Sequence, residues 1–223
     1  MNMWTKQLKL HADLILCLLM AAVFLIWPSI DLAVSGWFFR DGEGFFLADN
    51  PLVQFSYHLF AEIDVFVLFP LLLWFAWSLF RTGPTRLIAY LLVVLIVGPG
   101  MVVNWGVKEY SGRARPLTTE VFGGEKIYSP AFRYADQCNH NCSFVSGHAA
   151  MGFYFLSLAW VTRRRRWLWL GIGVGALVGL GRILQGAHYF SDVIFSFWIV
   201  YFTAMLMAKL FFGATRIKPP DDV

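Results

Sequence analysis

Residues 87–116 read LIAYLLVVLIVGPGMVVNWGVKEYSGRARP, a long apolar run that ends in a cluster of basic residues. Residues 87–105 carry no charged side chain, and about 20 apolar residues suffice for an α-helix to cross the bilayer core. The whole chain of 223 residues is 58% hydrophobic and 14% charged, whereas soluble domains average about 45–50% and about 25%. These values exclude a soluble enzyme, a disordered chain and a collagen-like chain, and they predict an all-α polytopic membrane protein.

Five further apolar runs flank this stretch, so six transmembrane helices with short loops are predicted. Their approximate bounds are 12–30, 58–80, 87–105, 149–162, 166–181 and 192–212. The first run follows two lysines, as in a signal peptide, but it continues without a small-residue cleavage site, so we expect a retained anchor. Residues 1–223 are therefore expected to form one integral membrane domain with an outer segment at 31–57 and a cytoplasmic tail at 213–223.

The basic residues indicate how the chain is oriented. A cytoplasmic N-terminus puts eleven of the eighteen Lys and Arg residues on the cytoplasmic side, including the run Arg163–Arg166, and most acidic residues outside. This is the arrangement that the positive-inside rule describes. It explains the basic isoelectric point near 9.1 better than nucleic-acid binding does. Both termini are thus predicted to be cytoplasmic.

Two glycine patterns predict local features of the helices. Gly98-Pro99-Gly100 is expected to kink the third span, with neighbouring helices satisfying the backbone groups that the kink frees. Gly171, Gly175 and Gly179 recur at every fourth residue of the fifth span. This spacing is typical of a helix face that a neighbouring helix approaches closely.

Three polar clusters fall on the outer face in this topology. They are 108–116, KEYSGRARP, at the end of the third span; 143–148, SFVSGH, at the start of the fourth; and 182–192, RILQGAHYFSD, between the fifth and sixth. Lys108, Arg115 and Arg182 thereby meet two histidines and the Asp192 carboxylate at one membrane surface. Their arrangement indicates a site for an anion.

The residue types and spacings indicate phosphate chemistry. Lys108 and Arg115 are two helical turns apart, so both are expected to project from one helix face before Pro116 ends it. Arg and Lys together suit a phosphoryl group. Ser146-Gly147-His148 begins a span, where free backbone N–H groups favour an anion and glycine permits its close approach. His188 and Asp192 are one turn apart, so the carboxylate can fix the imidazole tautomer.

The three clusters resemble the signature of the type 2 phosphatidic acid phosphatase family, related in fold to vanadium haloperoxidases and bacterial acid phosphatases. The family pattern is K-x6-R-P, P-S-G-H and S-R-x5-H-x3-D, and the resemblance covers roughly residues 60–212. Val145 stands where the family usually has Pro, and Gly181 where it usually has Ser. Neither position supplies a nucleophile, an acid or a phosphate-binding charge, although the missing hydroxyl puts one phosphate contact in doubt.

The resemblance implies a two-step phosphoryl transfer that uses no metal or other cofactor. His188 would attack phosphorus with Asp192 orienting it, while His148 would protonate the leaving oxygen and then activate water. The phosphate oxygens would be held by Lys108, Arg115, Arg182, Ser146 and Gly147. A cationic nest with one nucleophile is sufficient for such chemistry.

Several polar residues lie outside this signature. Cys138 and Cys142 have a spacing that allows a disulfide, with two free thiols or a metal site involving His140 as the alternatives. Arg113 is expected to face away from the site, or else to add a head-group contact. Surface or interfacial positions are expected for His11, His58 and His140, and Glu62 and Asp64 either pair with basic groups or face water.

A site at the membrane surface favours a lipid phosphate as substrate. Residues 141–148, NCSFVSGH, resemble those of some bacterial lipid A phosphatases, so lipid A ranks first, isoprenoid pyrophosphates second and phospholipids third. The location would then be a bacterial inner membrane with the site facing the periplasm. The outer segment 31–57 would cover the lipid or only cap the helices. Transfer of phosphate to a lipid hydroxyl and a non-catalytic lipid-binding or transport role remain alternatives, and the sequence does not indicate an oligomeric state.

Overall fold

The N-terminal part of the protein is a sharply bent pair of helices. A computed structural model describes residues 3–81 and 83–217, in which helix α1 runs Met3–Ile26 and helix α2 runs Ser29–Gly36. The axes of Ala12–Ile26 and Ser29–Gly36 meet at 82°. Pro28 lies at the bend, where its ring disfavours continuation of the preceding helix. The first predicted span therefore ends at Ile26, four residues earlier than predicted.

The predicted outer segment 31–57 is partly regular structure. It contains the end of α2 and a small antiparallel hairpin of β1, Phe39–Arg40, and β2, Gly44–Phe45. Helix α3, Pro51–Leu79, begins seven residues before the predicted start at 58. The Asn50 side chain accepts a hydrogen bond from Leu52 N at 3.0 Å, and Pro51 occupies the first helical turn. These start signals lie in a polar stretch that an apolar pattern does not detect.

The third predicted span is helical throughout, and the glycines expected to kink it lie in a π-helical part. Helix α4, Thr85–Leu95, continues as a π-helix, Ile96–Val107, and then as α5, Lys108–Tyr110. Gly98-Pro99-Gly100 lies within the π-helical turns. The wider hydrogen-bonding pattern of a π-helix accommodates a residue without a backbone N–H, so the chain absorbs Pro99 within the helix.

The C-terminal half supplies the remaining helices. Helix α6 runs Gly147–Tyr154 and leads through a 3₁₀ turn, Phe155–Ser157, into α7, Leu158–Thr162. Helices α8, Arg166–Leu184, and α9, Phe190–Phe212, follow. Because α9 ends at Phe212, the predicted tail begins at 213 as expected, and its residues 218–223 lie outside the described part of the chain.

By length and composition, the described residues contain four helical segments able to cross a membrane, or five if the bent pair α1–α2 counts as one span. The four are Pro51–Leu79, Thr85–Tyr110, Arg166–Leu184 and Phe190–Phe212. The predicted fourth span, 149–162, does not qualify because the 3₁₀ turn divides it into two short helices. The predicted count of six is therefore not reached by this criterion.

The glycine stripe of α8 is approached closely by its neighbours, as predicted: Gly175 by α6, Gly171 by the 3₁₀ turn that follows α6, and Gly179 by Val193 of α9. A Cβ atom added at Gly171 would collide with the Leu156 backbone, and one at Gly175 with the Phe153 ring. A Cβ at Gly152 would collide with the Gly175 backbone, so the two helices meet through glycine on both sides. This close contact buries nearly all of α6 and fixes its N-terminus, which carries His148.

Candidate active site

The three polar clusters come together at one end of the helices. The short helix α5 and the C-terminal end of α8 contribute Lys108 and Arg182, while the N-terminal ends of α6 and α9 contribute His148 and Asp192. Hydrogen bonds connect these ends: Ser146 N donates to the Asp192 carbonyl at 3.3 Å. Ser196 Oγ donates to the Ser146 carbonyl at 2.8 Å. The predicted juxtaposition of the clusters is therefore present in the fold.

Lys108 and Arg115 do not lie on one helix face, and that expectation was wrong. Helix α5 ends at Tyr110, and Gly112 adopts φ +62°, a left-handed conformation that turns the chain out of the helix. A side chain at Gly112 would also collide with the Ala135 carbonyl. The turn is required because residues 111–113 pair with the outer loop, where the carbonyls of Ser111, Gly112 and Arg113 accept hydrogen bonds from Ala135, Gln137 and Ser143 backbone N–H groups.

His188 is fully buried, and a backbone carbonyl fixes its tautomer. Its Nδ1 atom lies 2.8 Å from the Ser143 carbonyl oxygen and 3.4 Å from Asp192 Oδ2. A carbonyl oxygen can only accept, so Nδ1 carries the proton and Nε2 keeps its lone pair. Nε2 has no hydrogen-bond partner among the described residues. His188 thus has a free nucleophilic nitrogen, although the partner nearest to its N–H is the Ser143 carbonyl and not the carboxylate.

Burial also keeps His188 neutral. Loss of solvation lowers the pKa of its imidazole to about 3, and the nearby cations Lys108 and Arg182 add to this decrease, while Asp192 opposes it. A neutral imidazole is the form that can attack an electrophile. The environment of His188 therefore favours a nucleophile at physiological pH.

Asp192 is held by donors from three separate segments. Its Oδ2 accepts hydrogen bonds from Ser143 Oγ at 2.5 Å and from Tyr189 N at 2.8 Å. Its Oδ1 accepts one from Arg113 Nη1 at 2.6 Å. A buried carboxylate is stable as a charge only when it is paired and hydrogen-bonded in this way. Asp192 is therefore a fixed negative charge next to the His188 imidazole.

Arg113 does not face away from the site, and here the sequence interpretation was wrong. Its guanidinium is buried and donates from Nη2 to Asp31 Oδ2 at 2.7 Å, from Nη1 to Asp192, and from Nε to the Ser129 carbonyl at 2.8 Å. Asp31 in turn accepts from the Ser191 N–H at 2.8 Å and the Ser191 hydroxyl at 2.6 Å. The sequence analysis did not select Asp31, and it gave no individual role to Ser143 or Ser191, although both lie within the polar clusters.

The signal that could have found Arg113 is a carboxylate without a nearby basic partner. Asp31 directly follows the first predicted span and has no local partner in the sequence, and a charge at the membrane requires one. Glu62 and Asp64 posed the same question, but the structure leaves both exposed on α3, with no ion pair among the described residues. Sequence alone did not distinguish these cases.

His148 lies between the cations and an aromatic ring. Its imidazole stacks on Tyr57 with ring centroids 5.3 Å apart, and its Nε2 is buried with no partner among the described residues. Burial lowers the pKa of His148 to about 3, and the positive charges of Arg182, Lys108 and Arg115 contribute to the decrease. A phosphate dianion among these groups would neutralise most of their positive charge, raise the pKa of His148 and favour the imidazolium.

The predicted phosphate-binding residues surround the two histidines. Lys108 and Arg182 are each 7% exposed, and Arg115 is half-buried and donates to the Asn141 carbonyl at 2.9 Å. Arg182 lies over the Tyr57 ring, 4.7 Å from its centroid, and pairs with Gln185. Its Nε atom has no partner among the described residues. Such a set of buried cations suits an anion and offers no ligand atoms for a metal ion.

Ser146 and Gly147 form the start of α6, as predicted. The Ser146 hydroxyl caps the helix by accepting from Ala149 N at 3.4 Å. The space beside Gly147 is filled by the side-chain oxygen of Asn104, with which a Cβ atom would collide. Glycine is thus required because the amide of Asn104, a residue that the sequence interpretation did not select, approaches the helix start.

The departure at Gly181 is accompanied by a nearby serine. The Oγ atom of Ser56, on α3, lies 3.7 Å from the position that a Cβ atom at Gly181 would occupy. The site therefore contains a hydroxyl next to the position where the family usually carries one. This hydroxyl comes from a different helix.

The outer loop is tied to the site by covalent and polar contacts. Cys138 and Cys142 are joined by a disulfide, with Cα atoms 5.6 Å apart. Glu109 binds this loop through His140 Nδ1 at 2.8 Å and the Asn141 N–H at 3.2 Å. His140 and His58 are exposed, as expected, and the side chain of His11 lies outside the described residues.

Part of the outer segment supports the turn before His188. The Phe45 ring packs on Phe39 and Phe122, with centroids 5.5 and 5.4 Å away, and fills the space beside Gly186. Gly186 has φ +62°, and its carbonyl accepts a hydrogen bond from Leu117 N at 2.9 Å. The part of the outer segment around Phe45 therefore caps the helices. Trp37, in the same segment, is 71% exposed.

Comparison with known proteins agrees with this geometry. The family model described as the PAP2 superfamily matches residues 86–216, more than half of the chain and all three clusters. The chain belongs to the PAP2 superfamily. It is therefore a PAP2 membrane protein whose two histidines, three cations and carboxylate meet at one end of its helices.

Curated relatives of this PAP2 chain share most of its length. A lipid A 4'-phosphatase of Francisella tularensis subsp. novicida is 35% identical, over 84% of this chain and 92% of the relative. A lipid A 4'-phosphatase of Rhizobium leguminosarum is 33% identical, over 83% of this chain and 89% of the relative. No solved structure matches the chain.

Proposed function

We propose that this chain is a lipid A phosphatase that hydrolyses a phosphate monoester through a phosphohistidine formed on His188. The observation that carries the proposal is the buried, neutral imidazole with its N–H bound and its Nε2 free. The choice of lipid A rests on relatives named lipid A 4'-phosphatase that align over more than four fifths of the chain. The whole chain would act as one unit, because Asp31 from the N-terminal helices reaches the site.

In the first step, His188 Nε2 attacks phosphorus and the bond between phosphorus and the lipid oxygen breaks. The leaving oxygen takes a proton from His148 in its imidazolium form, so the lipid departs as an alcohol. The phosphorylated imidazole retains its Nδ1 proton and is positively charged. Asp192, 3.4 Å from Nδ1, stabilises this charge, and the Ser143 carbonyl keeps the ring oriented.

In the second step, neutral His148 removes a proton from water, and the water oxygen attacks phosphorus. The phosphorus–nitrogen bond breaks, inorganic phosphate leaves, and His188 returns to its neutral state. Lys108, Arg115, Arg182, the Ser146 hydroxyl and the Gly147 N–H would bind the phosphate oxygens through both steps. Charge stabilisation by preorganised groups is the main requirement of phosphoryl transfer.

The proposed location is a bacterial inner membrane with the site facing the periplasm. Support comes from the concentration of Lys and Arg at the ends of the helices opposite to the site, including Arg81, Arg86 and Arg163–Arg166. Both termini would then be cytoplasmic. Six crossings would require that α1 and the broken segment α6–α7 each count as a span, in addition to the four long ones.

The test is phosphate release by detergent-solubilised protein from lipid A, undecaprenyl pyrophosphate, phosphatidylglycerol phosphate and phosphatidic acid, with EDTA present. We expect release that is highest with lipid A and absent in the His188→Ala variant. Activity that persists in that variant, or that needs a metal, would contradict the mechanism. Highest activity with another lipid would contradict the substrate, and label transferred to an acceptor lipid would identify a phosphotransferase.

A further inference from the structure

A cavity of about 390 Å³, lined mostly by residues with polar side chains, opens at the outer surface beside the candidate active site. Ligand sites of small molecules typically have volumes of about 300–1,000 Å³, so this cavity is large enough for part of a head group. It lies between the segment that follows α5 and the loop closed by Cys138 and Cys142. Its walls are formed by Ala114, Arg115, Thr118, Lys126 and residues 136–141.

Most of the side chains that line the cavity carry hydrogen-bonding groups. Asn139, Asn141 and Gln137 contribute amides, Asp136 a carboxylate and His140 an imidazole. Such groups both donate and accept, which matches the hydroxyl groups of a sugar ring. These hydrogen-bonding groups of the cavity therefore fit a hydroxyl-rich ligand.

Arg115 connects this cavity to the phosphate site. Its side chain lines the cavity, and its charge lies close enough to His148 to lower the pKa of that imidazole. A phosphate bound among Lys108, Arg115 and Arg182 would thus have its ester oxygen within reach of the cavity mouth. The group attached to that oxygen is the one that the cavity would receive.

The walls are held in place before any ligand binds. Glu109 fixes His140 and the Asn141 backbone, and the disulfide closes the same loop. On the opposite side, Gln137 Oε1 accepts from Ile127 N at 3.0 Å, and the Lys126 N–H donates to the Thr118 carbonyl at 2.8 Å. A preorganised wall binds with a smaller loss of conformational entropy than a mobile loop does.

We propose that this cavity is a carbohydrate subsite, which binds the sugar ring that carries the phosphate to be removed. The inference rests on the proposed phosphatase function and adds to it the feature that selects glycolipid phosphates over glycerophospholipids. Lys126 and Asn139 are exposed side chains of the cavity wall that have no assigned role in the phosphoryl transfer itself. They are therefore the positions at which substrate selection can be tested.

The experiment compares two substrates with acyl chains of equal length, a glucosamine-based lipid monophosphate and phosphatidic acid. Lys126→Ala and Asn139→Ala are each expected to lower kcat/KM for the glucosamine lipid relative to phosphatidic acid by about tenfold, as expected for a lost hydrogen bond of about 1–1.5 kcal/mol. Arg133→Ala is the matched control, because Arg133 is an exposed base of the same loop outside the cavity. It should leave the ratio unchanged.

A binding measurement separates failure of the subsite from failure of the proposed function. Full-length His188→Ala protein is titrated with both lipids in detergent micelles, with and without the Lys126→Ala and Asn139→Ala changes. Weaker binding of the glucosamine lipid alone supports the subsite even if the wild-type protein releases no phosphate. Equal losses for both lipids, no loss for either, or the same loss in the Arg133→Ala control would overturn the subsite, whether or not the protein is a phosphatase.

Discussion

Arg113 donates a hydrogen bond to Asp192 at 2.6 Å in a region where neither side chain is more than 1% exposed. The same guanidinium binds Asp31 at 2.7 Å, so one cation lies between two buried carboxylates from opposite ends of the chain. Asp31 and Asp192 together outweigh the effect of burial and raise the pKa of Arg113, so it remains charged. This arrangement holds the Asp192 carboxylate next to His188.

The first prediction concerns this buried network. Arg113→Gln should destabilise the protein by about 3–5 kcal/mol, because it leaves two buried carboxylates without their cation. Asp31→Asn retains the shape of the side chain but removes its charge, so Asp192 should be held less precisely. We expect kcat to fall roughly tenfold, which corresponds to about 1.4 kcal/mol in the transition state, with little change in KM. Thermal unfolding in detergent and steady-state kinetics provide the two measurements.

Arg133→Gln is the control for Arg113→Gln, since it removes an exposed arginine from the same loop. Its unfolding temperature should match that of the wild-type protein. An Asp31→Asn variant that raises KM and leaves kcat unchanged would contradict the assignment of Asp31 as a positioning residue. An Asp31→Asn variant with wild-type kcat and KM would contradict this assignment as well.

The second prediction separates the two histidines. His148→Ala should slow hydrolysis of a lipid phosphate by about 10²–10⁴-fold, the usual contribution of a general acid or base. With an aryl phosphate whose leaving group needs no proton, formation of the phosphoenzyme should be much less affected. His188→Ala should abolish that step with both substrates. Burst kinetics with the aryl phosphate measure the step directly, and equal losses in the His148→Ala variant would remove His148 from the acid role.

The third prediction concerns stability at low pH. The pKa of His188 is lowered from its ordinary value of 6.5 to about 3 in the folded protein, mainly by burial. Between these pH values the unfolded chain binds a proton that the folded chain does not. The contribution of His188 to the free energy of unfolding is therefore fully present above pH 6.5 and decreases as the pH falls towards 3. At pH 5 the loss from this residue amounts to about 2 kcal/mol.

Thermal unfolding at pH 7 and pH 5 tests this effect. The wild-type protein should lose more stability over this interval than a His188→Asn variant, which has no titrating group at that position. His148 contributes to both proteins and cancels in the comparison. Parallel decreases in the two proteins would show that His188 is not buried in its neutral form.

The fourth prediction concerns the outer loop. Replacing Cys138 and Cys142 by serine should increase the mobility of residues 138–142 and so displace the Asn141 carbonyl, which binds Arg115. KM for the lipid substrate should rise several-fold, since about 1 kcal/mol of lost binding corresponds to roughly fivefold. Dithiothreitol should have the same effect on the wild-type protein and none on the double variant. An unchanged KM in the double variant and in the dithiothreitol-treated wild-type protein would show that the disulfide of this loop does not contribute to substrate binding.

Sequence alone predicted that the three polar clusters come together, because each cluster is one short motif. The pairs His188 with Asp192 and Ser146 with His148 each lie in one stretch of chain, whereas Lys108 and Arg115 do not share a helix face because the helix ends at Tyr110. Sequence alone did not predict that Arg113 joins the cluster, since the partner Asp31 lies 82 residues away and only the fold brings them together. The Ser143 carbonyl escaped notice for a related reason, as a backbone group carries no signature in the sequence.

The helices show the same division between local and tertiary causes. The long apolar runs located α8 and α9 to within a few residues. The glycine stripe of α8 predicted the close approach of a neighbouring helix, which α6 makes at Gly175 and α9 makes at Gly179. Helix α3 starts earlier than predicted because Asn50 caps it, and a search for apolar runs does not detect a helix start among polar residues. The 3₁₀ turn that separates α6 from α7 has no marker in the apolar pattern. Its residue Leu156 packs against Gly171 of α8, and only the fold brings these residues together.

The most direct test of the mechanism is to trap the phosphoenzyme. Protein mixed with ³²P-labelled lipid A and quenched in alkali within milliseconds should carry label on His188, because a phosphorylated imidazole is stable in base and labile in acid. His148→Ala should accumulate the labelled species, since it lacks the base that activates water, and His188→Ala should carry none. Phosphate release without any labelled protein, or label that persists in the His188→Ala variant, would contradict nucleophilic catalysis by His188.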